Sequence, residues 1–170
     1  MITKSTHEDI PSLLSLFAEA RATIATLGID QWQNGYPRDT VIREDILRGE
    51  SYVYKRDGEL LATFVLMDRS EPTYDVIYDG EWLTGQSEGY CAVHRVAIAL
   101  RARGQGIATE LLDFCARRAV ACGKRSLRID THEGNLVMRR MLEKNGFCHC
   151  GSIRLSDGAW RVAYEKMLFP

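Results

Sequence analysis

The segment Arg103-Gly104-Gln105-Gly106-Ile107-Ala108 constrains this chain more than any other. An apolar stretch from Cys91 to Leu100 precedes it, and a helix-periodic stretch begins at Ile107. Glycines at alternating positions let the backbone turn with positive φ and approach a ligand with no Cβ in the way. A helix starting at Ile107 points unpaired N–H groups and the positive end of its dipole back at that turn. Strand, glycine turn and helix N-terminus together form an anion-binding nest, and Arg103 adds a cation at its mouth. The pattern predicts a phosphate-bearing ligand on Arg103, Gly104, Gln105, Gly106, Ile107, Ala108 and Thr109.

What is missing narrows the ligand. A nucleotide P-loop requires Lys-Ser or Lys-Thr after its second glycine, and neither follows Gly106. A dinucleotide fingerprint requires glycine where Thr109 stands, in a unit near the start of a doubly wound fold. The residues instead read R-x-x-G-x-A, over Arg103, Gly106 and Ala108, after a strand containing Val96-Ala97-Ile98. A second segment follows in order. Leu127-Arg128-Ile129-Asp130 reads as a strand, and Asn135 opens a short helix with Met138, Met141 and Leu142 on one face. Asn145-Gly146 stops that helix, with Gly146 at the left-handed position, and Phe147 begins another strand. From Cys91 to Ile153 the chain resembles the GNAT N-acetyltransferase superfamily, whose acyl-CoA-binding motif and second motif these are.

The resemblance implies an α/β (α+β) acyl-CoA N-acyltransferase fold, a mixed twisted sheet of about seven strands with helices on both faces. It implies acetyl-CoA as co-substrate, with Asn135 and the main chain of Val96, Ala97 and Ile98 among its contacts. It also implies a splay between the strands at Tyr90–Ala99 and Leu127–Asp130, often opened by a bulge. The Ile98 N–H is the implied donor to the oxyanion. One departure stands out: many members carry a tyrosine seven residues after the asparagine, as acid for the leaving thiolate, and here that residue is Leu142.

Elsewhere the periodicity agrees with that order of elements. Ile2 to Ser5 reads as a strand, and Ser5-x-x-Glu8 as a capping box before a helix that stops at Gly28. Asp39-Thr40 caps a second helix through Leu47. Tyr52 to Lys55 and Leu60 to Met67 are strands joined by an Arg56-Asp57-Gly58-Glu59 hairpin. Asp68 to Gly89 is long for a structureless connection, so it is either functional or partly folded. Ser152 to Leu155 and Trp160 to Leu168 complete the strands.

A chain of 170 residues suits one domain over 1–170. No apolar run reaches membrane-spanning length, and Met1-Ile2-Thr3-Lys4 leads directly into folded elements, so neither membrane nor secretion is expected. Five cysteines without C-x-x-C spacing read as reduced thiols of a cytoplasmic protein. Net charge is −1, but residues 1–90 carry 16 acidic and 8 basic side chains, against 7 and 14 in residues 91–170. The basic half holds the phosphate turn, leaving the acidic half to attract a cationic amine. Basic residues without interleaved aromatics argue against nucleic acid. No His or Cys pair has metal-ligand spacing, so no metal is expected. A homodimer is compatible with the sequence.

Amine acetylation needs a neutral nitrogen, and a lysine-like amine of pKa ~10.4 is about one part in 10³ neutral at pH 7. A base is therefore useful. The candidates are His94, Asp130, His132, Glu88 and Glu133. His94 shares strand parity with Val96 and Ile98, and a hydrogen-bonded core histidine is its alternative. Asp130, after Leu-Arg-Ile, is poorly explained as core. Trp32, Tyr36 and Trp82 are loop aromatics suited to wall the pocket of a small-molecule or peptide amine acceptor. Direct transfer is the expected route, because no cysteine is paired in sequence with a base. Two alternatives remain: a CoA-binding sensor without catalysis, supported by Leu142, and a protein N-terminal acetyltransferase.

Overall fold

The computed structural model describes residues 1–85 and 89–168. Its strands are β1 (Ile2–Lys4), β2 (Ser51–Arg56), β3 (Glu59–Met67), β4 (Tyr90–Ile98), β5 (Ser126–Thr131), β6 (Cys148–Arg154) and β7 (Trp160–Met167). Its helices are α1 (Ile10–Ala25), α2 (Asp39–Leu47), α3 (Ile107–Ala121) and α4 (Leu136–Lys144). The seven strands form one sheet in the order β1-β2-β3-β4-β5-β7-β6. The β4–β5 pair is parallel, while β1–β2, β2–β3, β5–β7 and β6–β7 are antiparallel. This is the mixed α/β sheet that the order of elements implied. By internal packing the chain divides into two compact units, Met1–Leu66 with His94–Leu111, and Met67–Val93 with Leu112–Pro170.

In the first unit, α1 buries Ile10, Leu13, Leu16, Phe17 and Ala20, one stripe at helical spacing. The β2–β3 hairpin turns on Asp57 and Gly58, at φ 51° and 81°. Two left-handed residues in succession give the primed turn whose twist matches the flanking strands. The N-terminal box forms one residue later than the Ser5–Glu8 spacing predicts. Thr6 N–H donates to Asp9 Oδ2 at 2.9 Å, while Ser5 is buried and shares a 2.7 Å hydroxyl bond with Ser51. Asp9 is committed further by a 2.5 Å ion pair with Lys55. Asp39 likewise does not cap α2: it is the first helical residue, and its carboxylate takes the Arg43 Nε at 2.7 Å.

The second unit is organised around two charges without solvent contact. Arg128 and Glu165 stand opposite each other on β5 and β7, each with a fully buried side chain, and pair at 3.0 Å. Five donors converge on the Glu165 carboxylate: Leu83 N–H at 2.6 Å, Thr84 N–H at 3.2 Å, and Thr84 Oγ1, Ser126 Oγ and Arg128 Nε. The guanidinium is stacked between two rings, 4.3 Å from Trp82 and 4.1 Å from Tyr90. Hydrogen bonds and ring faces replace most of the hydration of this pair, with Nη1 the one nitrogen of the Arg128 guanidinium without a hydrogen bond among the described residues.

The long connection before β4 is thereby folded. Pro72–Tyr74 forms a 3₁₀ turn, Leu83 and Thr84 dock on Glu165, and Tyr78 exchanges two 2.8 Å backbone bonds with Ser152 of the terminal strand β6. Gly80 is required there. A Cβ at that position would lie 2.0 Å from the Cys150 carbonyl oxygen.

Arg128→Met would leave the Glu165 carboxylate buried with no ion partner. The expected cost is about 3–5 kcal/mol, read as a lower urea midpoint. A variant that unfolds where the wild type does would show that the ion pair does not hold this unit.

Candidate functional site

The phosphate turn lies in the first unit. After β4, Leu100–Ala102 make a short 3₁₀ turn, tied back by the Ala99 N–H to Leu61 O at 2.8 Å. Gly104 and Gly106 then adopt φ 74° and 80°, both left-handed, and a Cβ on either would meet no protein atom within 4 Å. The Gly106 carbonyl accepts the first α3 bond, from Glu110 N–H at 3.1 Å. The amides of Ile107, Ala108 and Thr109 are thus first-turn donors without intrahelical acceptors. Arg103 is exposed, and among the described residues its side chain has one hydrogen bond, a 3.5 Å contact to Ile98 O. The turn is braced by Gln105, whose amide nitrogen donates to Arg101 O at 2.8 Å. Gln105 Oε1 in turn accepts from Arg56 Nη1 at 2.8 Å. Arg56 is a second cation at the turn, brought by the β2–β3 hairpin and not anticipated from sequence. Arg101 is paired with Glu59.

A second cluster of the first unit centres on Arg95. It sits in β4 at φ 53°, a left-handed conformation that is uncommon for a non-glycine residue. Its Nη1 donates to the Tyr36 hydroxyl at 2.6 Å and its Nη2 to Asp45 Oδ1 at 2.7 Å. Both side chains of that ion pair are nearly buried. Burial pushes the Asp45 carboxyl above its ordinary value, against the opposing pull of Arg95 and of His94. Arg95 interrupts the extended backbone of β4 between His94 and Val96. His94 is half-buried and acts electrostatically on Asp45. Val96 and Ile98 are half-buried and Ala97 is buried. Trp32, itself at φ 64°, packs its ring against Phe17 at 5.8 Å and Tyr36 at 6.3 Å.

The second unit holds Asp130, Trp82, Asn135, His132, Glu133 and Leu142. The β4–β5 ladder comprises Tyr90–Ala92 paired with Ser126–Arg128, and β5 runs on to Thr131. Asp130, half-buried near the end of β5, accepts a 2.7 Å bond from the Tyr74 hydroxyl. Trp82 donates its Nε1–H to Tyr74 O at 3.0 Å and stacks on Arg128. Asn135 caps α4, its side chain accepting from Met138 N–H at 3.1 Å. His132 Nδ1 accepts from Gly134 N–H at 2.9 Å. Glu133 is exposed, and Glu88 lies outside the described residues. Leu142 is completely buried. Burial raises the thiols of Cys91 to about 12 and Cys150 to about 11, and pushes Cys115 up as well. A protonated thiol is a poor nucleophile, which disfavours these three as acyl carriers. Among the described residues no helix is long and apolar enough to cross a membrane, and no group of three or more His, Cys, Asp or Glu is placed to hold a metal.

Residues 15–147 match the model of the Acetyltransferase (GNAT) family. The chain belongs to that family. A GNAT-family acetyltransferase from Streptococcus agalactiae is 37% identical over 98% of this chain and 94% of its own, with a TM-score of 0.88. An N-acetyltransferase from Staphylococcus aureus, 22% identical over 99% of this chain and 98% of its own, shares the fold at TM-score 0.68. A ribosomal-protein-alanine N-acetyltransferase from Brucella melitensis does so at 20% identity and TM-score 0.67, covering 98% of this chain and 99% of its own. No curated protein matches the chain. The matched residues include the glycine turn before α3.

Both glycines of that turn are left-handed, so Gly104→Ala is not the mild change its small size suggests. Each substitution carries about 1–2 kcal/mol of backbone strain. Gly106→Val should do more harm, because a branched Cβ tolerates positive φ least. Titration calorimetry with CoA should show weaker binding for both variants, Gly106→Val the more. CoA binding equal to wild type in both would place the phosphate site elsewhere.

Proposed function

We propose that this acetyltransferase moves the acetyl group of acetyl-CoA directly to an amine of a small molecule or peptide. The observation that carries this reading is the pair of left-handed glycines, Gly104 and Gly106, at the N-terminus of α3. The space above them is open to a ligand, since a Cβ there would meet nothing. Acetyl-CoA suits that cradle: first-turn amides and the cations Arg103 and Arg56 match its pyrophosphate. When bound, acetyl-CoA supplies the thioester acetyl group. The main chain of Val96, Ala97 and Ile98 would hold its pantetheine arm, with the Ile98 N–H donating to the reacting carbonyl oxygen.

Proton removal from the amine falls to Asp130 or to His94 in this reading. Asp130 is the better supported, being a half-buried carboxylate with a defined hydrogen-bond donor. Trp32 and Tyr36 are offered as acceptor contacts on the Arg95 side, where Asp45 and the acidic balance of residues 1–90 favour a cation. Direct transfer accords with thiols that burial keeps protonated. Loss of the thiolate's acid at Leu142 is bearable, because a thiolate of pKa about 8.5 is already a good leaving group. We place the protein in the cytoplasm, where five unpaired cysteines suit a reducing compartment.

A CoA sensor without catalysis is the second reading, favoured by the buried Leu142. Calorimetry with acetyl-CoA and CoA, followed by thiol release over a panel of small amines and peptides with a free N-terminal alanine, separates the two. Transfer should accelerate with pH until the base or the amine has titrated. Binding without transfer to any amine would select the sensor. Absence of binding to both ligands would sink both readings.

A further inference from the structure

Tyr74 has no counterpart in either motif, yet it is the residue through which the second unit holds Asp130. Its side chain is fully buried, and its hydroxyl lies 2.7 Å from Asp130 Oδ1. The backbone on both sides is fixed. Tyr74 N–H donates to Glu71 O at 2.9 Å, and Tyr74 O accepts from the Trp82 indole at 3.0 Å. Its ring packs against Trp82 at 5.3 Å and Tyr90 at 6.1 Å, the same two rings that sandwich Arg128. The aromatic cage and the Arg128–Glu165 pair therefore place one phenol oxygen with little freedom. Burial, with the neighbouring Asp130 carboxylate, pushes the Tyr74 phenol well above its usual range, so it remains a proton donor at any pH of interest. Among the described residues the Asp130 carboxylate accepts this one hydrogen bond, on Oδ1, and Oδ2 accepts none.

We propose that Tyr74 is a positioning residue for the acyl transfer: it holds Asp130 by one carboxylate oxygen and thereby aims the other at the ammonium of a cationic acceptor. The inference rests on the amine-acetyltransferase reading above and narrows its acceptor to amines that arrive protonated. The ammonium gives one proton to Asp130 Oδ2, and the lone pair so exposed forms the C–N bond as the C–S bond breaks. The sulfur leaves with the electron pair of the broken C–S bond and takes the second nitrogen proton through solvent. Asp130 then returns its proton to water. Tyr74 transfers nothing.

The test is a double-mutant cycle on the whole protein, Tyr74→Phe against Asp130→Asn, with acetyl-CoA and three amines: spermidine, a lysine-containing peptide and a peptide with an N-terminal alanine. Tyr74→Phe keeps the ring and removes only the hydroxyl. Its kcat/KM for the amine should fall about 10-fold to 100-fold, the worth of a hydrogen bond to a charged group. Its KM for acetyl-CoA should stay within about twofold of wild type. In the Asp130→Asn background the same substitution should change the rate by less than about twofold, because the group it positions is gone. Losses that multiply would overturn the proposal, as would an unchanged amine kcat/KM. A KM for acetyl-CoA that rises together with a fall in melting temperature would mark Tyr74 as structural only. Wild-type protein that turns over none of the amines removes the acetyltransferase reading and this role with it. An active wild type with an indifferent Tyr74→Phe removes the role of Tyr74 alone.

Discussion

Everything in the second unit depends on one arrangement, a carboxylate and a guanidinium paired where no water reaches. Leaving either charge alone at that depth would be far more costly than any single contact in this unit returns. The chain answers by sending Leu83 and Thr84 to Glu165 and by laying Trp82 and Tyr90 on the faces of Arg128. Satisfying the pair thus requires the segment before β4 to fold over β5 and β7. The same segment then carries Tyr74 to Asp130. A demand of electrostatics, met locally, becomes the placement of a group with chemistry.

The first unit uses backbone strain where the second uses charge. Arg95 and Trp32 are non-glycine residues in left-handed conformations, at φ 53° and 64°, and both side chains are held by neighbours. Such residues persist only where the surroundings determine them, and they concentrate at functional positions. Gly104 and Gly106 adopt the same region without that cost, because they lack a Cβ. The glycine turn before α3 is relaxed, whereas Arg95, which anchors the loop carrying Tyr36, is not.

Much of the fold was legible because its signals are local. The left-handed glycines, the helix beginning at Ile107, the Asn135 cap and the hairpin at Asp57-Gly58 all depend on residues within one turn of each other. Errors arose where a distant partner outbid a local one. Ser5 was drawn to Ser51, leaving the N-terminal box to Thr6 and Asp9. Arg95, bonded to Tyr36 and Asp45, departs from the extended backbone that alternation along β4 assumes.

Sequence by itself determined the order of elements and the glycine turn, since these follow from spacing along the chain, and its two motifs carried the resemblance to the family. It also marked Asp130 as out of place among apolar strand residues. Only the tertiary structure decided what Asp130 is bonded to, that Arg128 is buried, and that Trp82 stacks on its guanidinium. Arg128 and Glu165 are opposite each other in register but 37 residues apart, and Tyr74 and Asp130 are 56 apart. Strand alternation says which face a side chain takes; it does not say which donor from elsewhere in the chain will meet it there.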